Sequence, residues 1–283
     1  MDSLYGKVPR DRLTLNSWIR SFYLLNPIVH NAVLFHAICS ISRFRIIPKD
    51  SSCFSALRRL DLVEPAEDEW LKPGSKLLDL AKEYWKLGEV FPHLEFGTDQ
   101  NYWSCLTILN PDYVFVKRSL SGNCTLHLRP DAVLRKIATS TDPADDELKR
   151  GIPEHVLLHV IKDKYIPLDE RCVSHILCSE DPYDIRGTSM IVSVINDLLA
   201  YDAMRERSEV DINKLEMVKD SIRAGMLFSP KLLKLAKERH AIFRTQISNW
   251  ITGRIFVPLE KTIPAVVWKP TDDREMLEIM EGK

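Results

Sequence analysis

Three groups of residues in this chain have types and spacings that chemistry could use. The first is Gly187-Thr188-Ser189 in "SEDPYDIRGTSMIVSVINDLL", where an acidic loop passes through one glycine into an amphipathic stretch. A phosphate cradle at such a turn needs several glycines, so that successive N–H groups surround the anion, and a Lys for the outer phosphates. Here one Gly follows Arg186, and no G-x-x-x-x-G-K-[ST] occurs anywhere. The residues read better as a hinge: Gly187 supplies a permissive backbone, and Thr188 or Ser189 caps the helix beyond it.

The second group is His155 and His159, four apart in "HVLLH", a spacing that puts two metal ligands on one helix face. The Glu of H-E-x-x-H is missing, and only the distant Cys172 and His175 could complete a set, so no metal is assigned. The third group is acidic: "TDPADDELKR" and "SEDPYD", the latter with Asp181 and Asp184. Neighbouring carboxylates can serve glycoside hydrolysis or hold a divalent metal. Both segments contain Pro, and Asp beside Pro is common in solvated turns where its side chain bonds nearby backbone. Solvated turns are the favoured reading. Trp18, Tyr23, Tyr84, Trp85, Trp103 and Trp250 could stack single-stranded bases, but no basic residues interleave with them. Most fall on apolar helical stripes and are expected in the core. No catalytic, cofactor-binding or metal-binding residue is assigned, no cofactor is expected, and the chain is not read as an enzyme.

The bulk composition agrees with a folded protein rather than a disordered one: 45% hydrophobic and 28% charged residues over 283 positions. A formal net charge of −1 provides no global field toward nucleic acid or an anionic membrane. The N-terminus lacks the basic, apolar and small-residue series of a secretory signal, and apolar runs such as "NAVLFHAICSI" are too short to span a bilayer. The six cysteines are scattered without a C-x-x-C pair. They are expected to be reduced thiols, mostly in the core, as in cytosol.

The elements that must position these groups follow from periodicity. A helix is predicted over Leu15 to Tyr23. Asn26 then caps, and Pro27 starts, a second helix with a buried stripe from Ile28 to Ile41. "RFRIIP" reads as a short strand, while "SSCFSALRRLDLVEPAEDEWLKPG" is ambiguous. "SKLLDLAKEYWKLG" is a helix stopped by Gly88. "EVFPHLEF" reads as an edge strand, because Pro92 cannot donate to a ladder. From Trp103 to about Ile176, alternation broken by Asn-Pro-Asp and Ser-Gly-Asn predicts a small α+β subdomain of strands joined by tight turns.

Beyond Ser189 the chain reads as helical, with Ile191, Val194, Ile195, Leu198 and Leu199 on one face. "DINKLEMVKDSIRAG" is a helix stopped by Gly225. In the next helix Ser229 caps and Pro230 starts; Leu232, Ala236, His240, Phe243, Ile247 and Trp250 share a side, and Gly253 closes it. "IFVPLEKTIPAVVWKP" is strand-like with no evident partner.

Several segments in order resemble the portal protein of large tailed bacteriophages. They are "IRSFYLLNPIVHNAVLFHAICSISRFRI", "AKEYWKLGEVFPHLEF", "WSCLTILNPDYVFVKRS", and "GIPEHVLLHVIKDKYIPLDERCVSHILCSEDPYDIRGTSMI" with "LLAYDAMRER" after it. The resemblance runs from about Leu13 to Arg207, with a weaker echo in "ISNWITGRIFVPLEK". It implies an α+β fold: a helix-rich, portal-like wing with a small β-containing subdomain, followed by long helices. The corresponding map is an N-terminal arm over 1–14, a wing-like region over 15–188, a stem- or wing-like helical region over 189–253, and a strand-like segment with a charged tail over 254–283. Portal proteins are commonly longer than this chain, so a truncated, reduced or divided form is expected.

The resemblance also implies a function. Portal subunits form a closed homo-oligomeric ring, commonly a dodecamer, at one capsid vertex of the virion, where double-stranded DNA is packaged and later ejected. The implied partners are further copies of the chain, the terminase motor, the major capsid and scaffold proteins, neck or adaptor proteins, and DNA passing non-specifically; no membrane is implied. Such a ring needs subunit contacts that close after a fixed number of copies, and a lumen poor in clustered Lys and Arg. Phe22, Tyr23, Trp250 and Phe256 are the candidate subunit contacts. The alternatives are a divalent-metal-dependent phage enzyme using the acidic turns at Asp181 and Asp184, and a small nucleic-acid-binding adaptor.

Overall fold

The computed structural model describes residues 8–42, 44–47, 51–64, 72–97, 102–118, 124–150, 152, 154–178, 183–205, 212–223, 230–255 and 265–268. Its fold is α+β. Helix α1 (Arg12–Leu25) is opened by Asp11, whose carboxylate accepts from the Thr14 N–H at 2.9 Å. Asn26 ends this helix and starts the next. Its N–H donates to the Phe22 carbonyl at 2.9 Å, while its side-chain oxygen accepts from Ile28 and Val29 N–H, opening α2 (Pro27–Ile41). One residue thus makes the 97° corner between them. No single helix among the described residues is long and apolar enough to cross a membrane.

After β1 (Phe44–Ile47), the ambiguous segment resolves into α3 (Ser51–Arg59) and the short antiparallel pair β2 (Val63–Glu64) and β3 (Lys72–Pro73). Helix α4 (Ser75–Leu87) ends at Gly88, which adopts the left-handed φ of 82° and donates its N–H to the Tyr84 carbonyl. The reversal launches β4 (Glu89–Gly97), which pairs along its length with β5 (Tyr102–Leu109).

The Asn-Pro-Asp turn leads to β6 (Val114–Arg118), antiparallel to β7 (Cys124–Leu128). Three short helices follow: α5 (Ala132–Thr139), α6 (Pro143–Arg150) and α7 (Glu154–Ile161). Then β8 (Ile166–Pro167) extends the β6–β7 sheet, and β9 (Ile176–Leu177) pairs with the start of β4. Ser189 caps a 3-10 turn at Met190–Val194 that continues into α8 (Ile195–Arg205); α9 (Ile212–Arg223) and α10 (Pro230–Trp250) complete the helices. β10 (Ala265–Trp268) is the strand at the far end.

Four expectations are corrected. β4 is central, between β5 and β9, not an edge strand. Pro92 is tolerated because its carbonyl, and therefore its missing N–H, faces the β9 side, where the regular ladder covers only Glu89 and Val90. Its carbonyl accepts there from Ser174 N–H instead. Gly253 does not close α10: the helix runs on through a π-helical turn at Ile251–Ile255. The strand-like C-terminal segment has a partner, since β10 pairs antiparallel with β1. Of the five described cysteines only Cys39 and Cys178 are buried; Cys105 and Cys124 are exposed on strands, and all five are free thiols. Gly225, Ser229 and the Ser-Gly-Asn turn lie outside the described residues.

The largest core cluster joins α1, α2, α4 and β4 to the later helices: Ile19, Val33, Leu80, Trp85 and Val90 pack with Leu198, Phe243 and Ile247. A second cluster, Phe91 with Val114, Val116, Leu126 and Val173, fills the space between the two sheets. A third, Ala138, Val160 and Ile166, seats α5 and α7 on the end of the β7–β8 pair.

Candidate functional site

The Gly187 turn is filled by the protein's own carboxylate. Glu89, fully buried, follows the left-handed Gly88, so its side chain enters the space beneath that turn. Gly187 donates its N–H to Glu89 Oε2 at 3.1 Å, and Arg186 donates Nε and Nη2 to the same carboxylate at 2.5 to 3.0 Å. Arg12 Nη2 reaches Glu89 Oε1 at 3.0 Å, and His175 Nε2 lies 3.0 Å from Oε2.

Burial by itself would raise the Glu89 pKa. The hydrogen bonds from His175 and Arg186, and the charges of Arg186 and Arg12, overcome this and hold it at about 2. Burial in turn lowers the Arg12 pKa, opposed by Glu89. The geometry is that of an anion site, but its anion is Glu89. Arg186 also donates to the Val114 and Pro111 carbonyls at 2.9 and 3.1 Å, tying the turn to the second sheet.

Gly187, Thr188 and Ser189 form the entry to a packed helix. Thr188 donates its N–H to the Cys178 carbonyl, Ser189 Oγ accepts from Ile191 N–H at 3.1 Å, and the same hydroxyl donates to the Lys86 carbonyl. A Cβ on Gly187 would lie 1.9 Å from the Gly88 carbonyl oxygen, so this position requires glycine for close approach rather than for ligand binding.

A second buried polar cluster, unforeseen in the sequence, lies between α2, α4 and α10. Ser40 Oγ donates to the His36 carbonyl at 2.8 Å, accepts from Trp85 Nε1 at 2.7 Å and lies 2.7 Å from His240 Nδ1. With the hydroxyl proton on the His36 carbonyl, His240 holds its proton on Nδ1 and donates it to Ser40. Its Nε2 then faces His36 Nδ1 at 3.4 Å. Arg244 caps the C-terminal turn of α2 through the Ser40 and Cys39 carbonyls at 2.8 and 2.5 Å.

Burial, then the neighbouring His36 and Arg244, push the His240 pKa well below its ordinary 6.5. A Ser–His contact is the start of a nucleophilic pair. Here Ser40 is fully buried and His240 is the donor, so the arrangement stitches three helices together.

The other predicted residues do not converge. His159 is on α7, and His175 serves Glu89. Among the described residues no three His, Cys, Asp or Glu side chains are grouped to hold a metal ion. Asp184 is exposed, and Asp181 lies outside the described residues. Asp145 and Asp146 stand in the first turn of α6 rather than in a loop, where the helix dipole favours them.

Phe22 and Trp250 are only 8% and 4% exposed and belong to the chain's own core, leaving little of either for a neighbouring copy. Trp250 Nε1, buried at the edge of a cavity of about 370 Å³ lined by Cys124, His175 and Asn249, has no hydrogen-bond partner among the described residues. Tyr23 is half-buried, stacked on His30, with the Lys86 ammonium over its ring. Phe256 lies outside the described residues. The exposed apolar side chains at that corner are Leu24 and Leu25, at 75% and 76%.

No family model and no curated protein matches the chain. Solved structures do. One is a chain of the "neck of empty GTA particle computed with C6 symmetry", 15% identical, covering 70% of this chain with a TM-score of 0.44. The match spans 45% of that chain's own length. Another is a chain of the "virion of native gene transfer agent (GTA) particle", 12% identical, covering 97% of this chain and 88% of the other, with a TM-score of 0.56. The second likeness defines a fold shared over nearly the whole length.

Proposed function

We propose that this protein is a structural subunit of a phage-like virion, of the portal kind, whose copies close into a ring around a DNA channel. The observation that carries the reading is the fold shared over 97% of the chain with a chain of a gene transfer agent virion. The portal-like order of segments from Leu13 to Arg207 adds to it. On this reading, residues 15–188 are wing-like, 189–253 contribute stem- or wing-like helices, and the ring sits at a capsid vertex. Its partners are the terminase motor, capsid and scaffold proteins, and neck or adaptor proteins.

The turn at Gly187 supports a role without bond-breaking chemistry, because its donors are spent on Glu89 and leave none for a phosphate. The working principle is geometric: unlike surfaces on one subunit meet on successive copies, and a fixed rotation closes the ring. The near-neutral charge suits a channel wall that must let phosphates pass.

Negative-stain imaging and native mass spectrometry of the purified protein, alone and with capsid or scaffold subunits, test the reading. A closed ring with a central hole is the expected result. A monodisperse monomer at high concentration, with no ring in assembled heads, overturns it.

A further inference from the structure

An antiparallel sheet with one face in solvent normally carries polar residues there. On the β6–β7–β8 sheet such residues surround exposed aromatic rings. Its inward positions Val114, Val116 and Leu126 are buried, and the alternation turns Phe115, Lys117 and His127 outward. Phe115 lies opposite His127 and His127 opposite Pro167, so one outward row crosses all three strands. The next row holds Arg129, whose N–H is bonded to the Tyr113 carbonyl, one step beyond the Val114–Leu128 pair.

Tyr113, Phe115 and Tyr165 are 42%, 47% and 47% exposed, and the rings of Phe115 and Tyr165 stack with centroids 5.3 Å apart. Lys117 and Arg129 are exposed beside them on the same face. Aromatic residues at the centre and cations at the rim are the composition of a protein-binding surface, not of an ordinary solvated sheet.

The opposite side of the same sheet is covered by helices. Leu128 and Ile166 point inward, where α5 and α7 cover them, and α6 packs against α5. α6 therefore lies on the far side of the sheet from Phe115. Asp145 and Asp146 occupy its first turn, and Leu148 beside them is 55% exposed. One subdomain thus carries an aromatic face with Lys117 and Arg129, and a helix that is acidic in its first turn and basic in its last. Lys149 lies 3.3 Å from Asp146, and an exposed leucine stands between the two ends. Two unlike, complementary patches on one chain make a heterologous contact, the type that generates rings.

We propose that the outward face of β6–β7–β8 receives α6 of the next copy of this chain. Asp145 and Asp146 of that copy face Lys117 and Arg129, and its Leu148 covers Phe115 and Tyr165. The inference rests on the ring reading above and assigns it a contact. Charge pairing across such an interface sets register and suppresses wrong partners.

The test is a charge swap read by sedimentation velocity and native mass spectrometry on the full chain. Lys117→Glu with Arg129→Glu is expected to weaken self-association at least about tenfold, as is Asp145→Lys with Asp146→Lys. Mixing the two variants is expected to restore association between unlike copies at both ends of each, so that the two variants alternate around the ring. All four substitutions in one chain are expected to restore the ring. Far-UV circular dichroism should stay at the wild-type value for both variants, and so should the thermal midpoint for Lys117→Glu with Arg129→Glu. Asp145→Lys with Asp146→Lys should lower the midpoint slightly, because the helix dipole favours Asp there.

A wild-type ring that survives both double variants overturns the inference and leaves the ring reading standing. A wild-type chain that never associates overturns both. Variants that keep the ring but lose binding to a poly-dT oligonucleotide identify the face as a base-stacking platform and also overturn the inference.

Discussion

Gly88 and Gly187 lie back to back. A Cβ on Gly187 would meet the Gly88 carbonyl oxygen at 1.9 Å, and a Cβ on Gly88 would meet the Thr188 carbonyl carbon at 2.3 Å. The contact presses the end of α4 onto the entry to the 3-10 turn before α8, two segments separated by nearly a hundred residues. It leaves between them the space that the Glu89 carboxylate fills.

Alanine at either glycine should therefore destabilise the fold. Gly187→Ala must displace backbone and is expected to cost about 2–3 kcal/mol as an overpacking change. Gly88→Ala adds the strain of a left-handed φ and should cost at least as much, about 3 kcal/mol. Urea denaturation reads both; stabilities within 0.5 kcal/mol of wild type, on the order of the scatter for surface sites, would remove the close-approach argument.

Removing the buried Glu89 carboxylate leaves the half-buried guanidinium groups of Arg12 and Arg186 without their anion. Glu89→Ala is expected to cost about 3–5 kcal/mol. In the folded protein the Glu89 pKa is about 2, below the ordinary 4.5, so the stabilisation is fully present above the ordinary value and is lost as pH falls toward 2. The denaturation midpoint of the wild type should drop steeply through that window. Glu89→Gln, already weakened at neutral pH, should show a shallower drop there. Equal slopes for the two proteins would count against the assignment.

His240 acts in the same direction by the opposite chemistry. Its pKa is depressed in the folded state, so below 6.5 the unfolded chain takes up a proton that the core resists. Stability should be complete above 6.5 and decline as pH falls below it. Replacing the ring in His240→Gln should flatten the decline just below 6.5 while leaving the steeper acid loss due to Glu89. Urea midpoints at pH 8, 6 and 5 separate the two contributions.

Phe22 and Trp250 should behave as core residues and Leu24 and Leu25 as surface ones. Phe22→Ala and Trp250→Ala are each expected to cost about 3–5 kcal/mol. Leu24→Ser with Leu25→Ser should change stability by about 0.5 kcal/mol or less. A Trp250→Ala protein as stable as wild type, but altered in association, would return that residue to the subunit contacts.

Local features were legible in the sequence because their causes lie within a few residues. Asn26-Pro27 specifies the corner between α1 and α2, since the cap and the missing N–H act on adjacent turns. Gly88 stops α4, and the stripe Ala236, His240, Phe243, Ile247, Trp250 predicts which side of α10 is inside. Pro92 misled because its effect depends on which edge of β4 its nitrogen faces. That edge is set by how briefly β9 pairs, which no property of "EVFPHLEF" encodes.

The sequence by itself determined the α+β character, the turns, the caps and the absence of a phosphate-loop pattern. The tertiary structure alone decided what the charged and polar residues are for. Glu89 finds Arg12, His175 and Arg186 across 77, 86 and 97 residues of chain, and Ser40 finds His240 across 200. Such pairings carry no periodic signature. They form because a buried polar group is costly unless a partner reaches it, and only the packed helices and sheets bring those partners within a hydrogen bond's length.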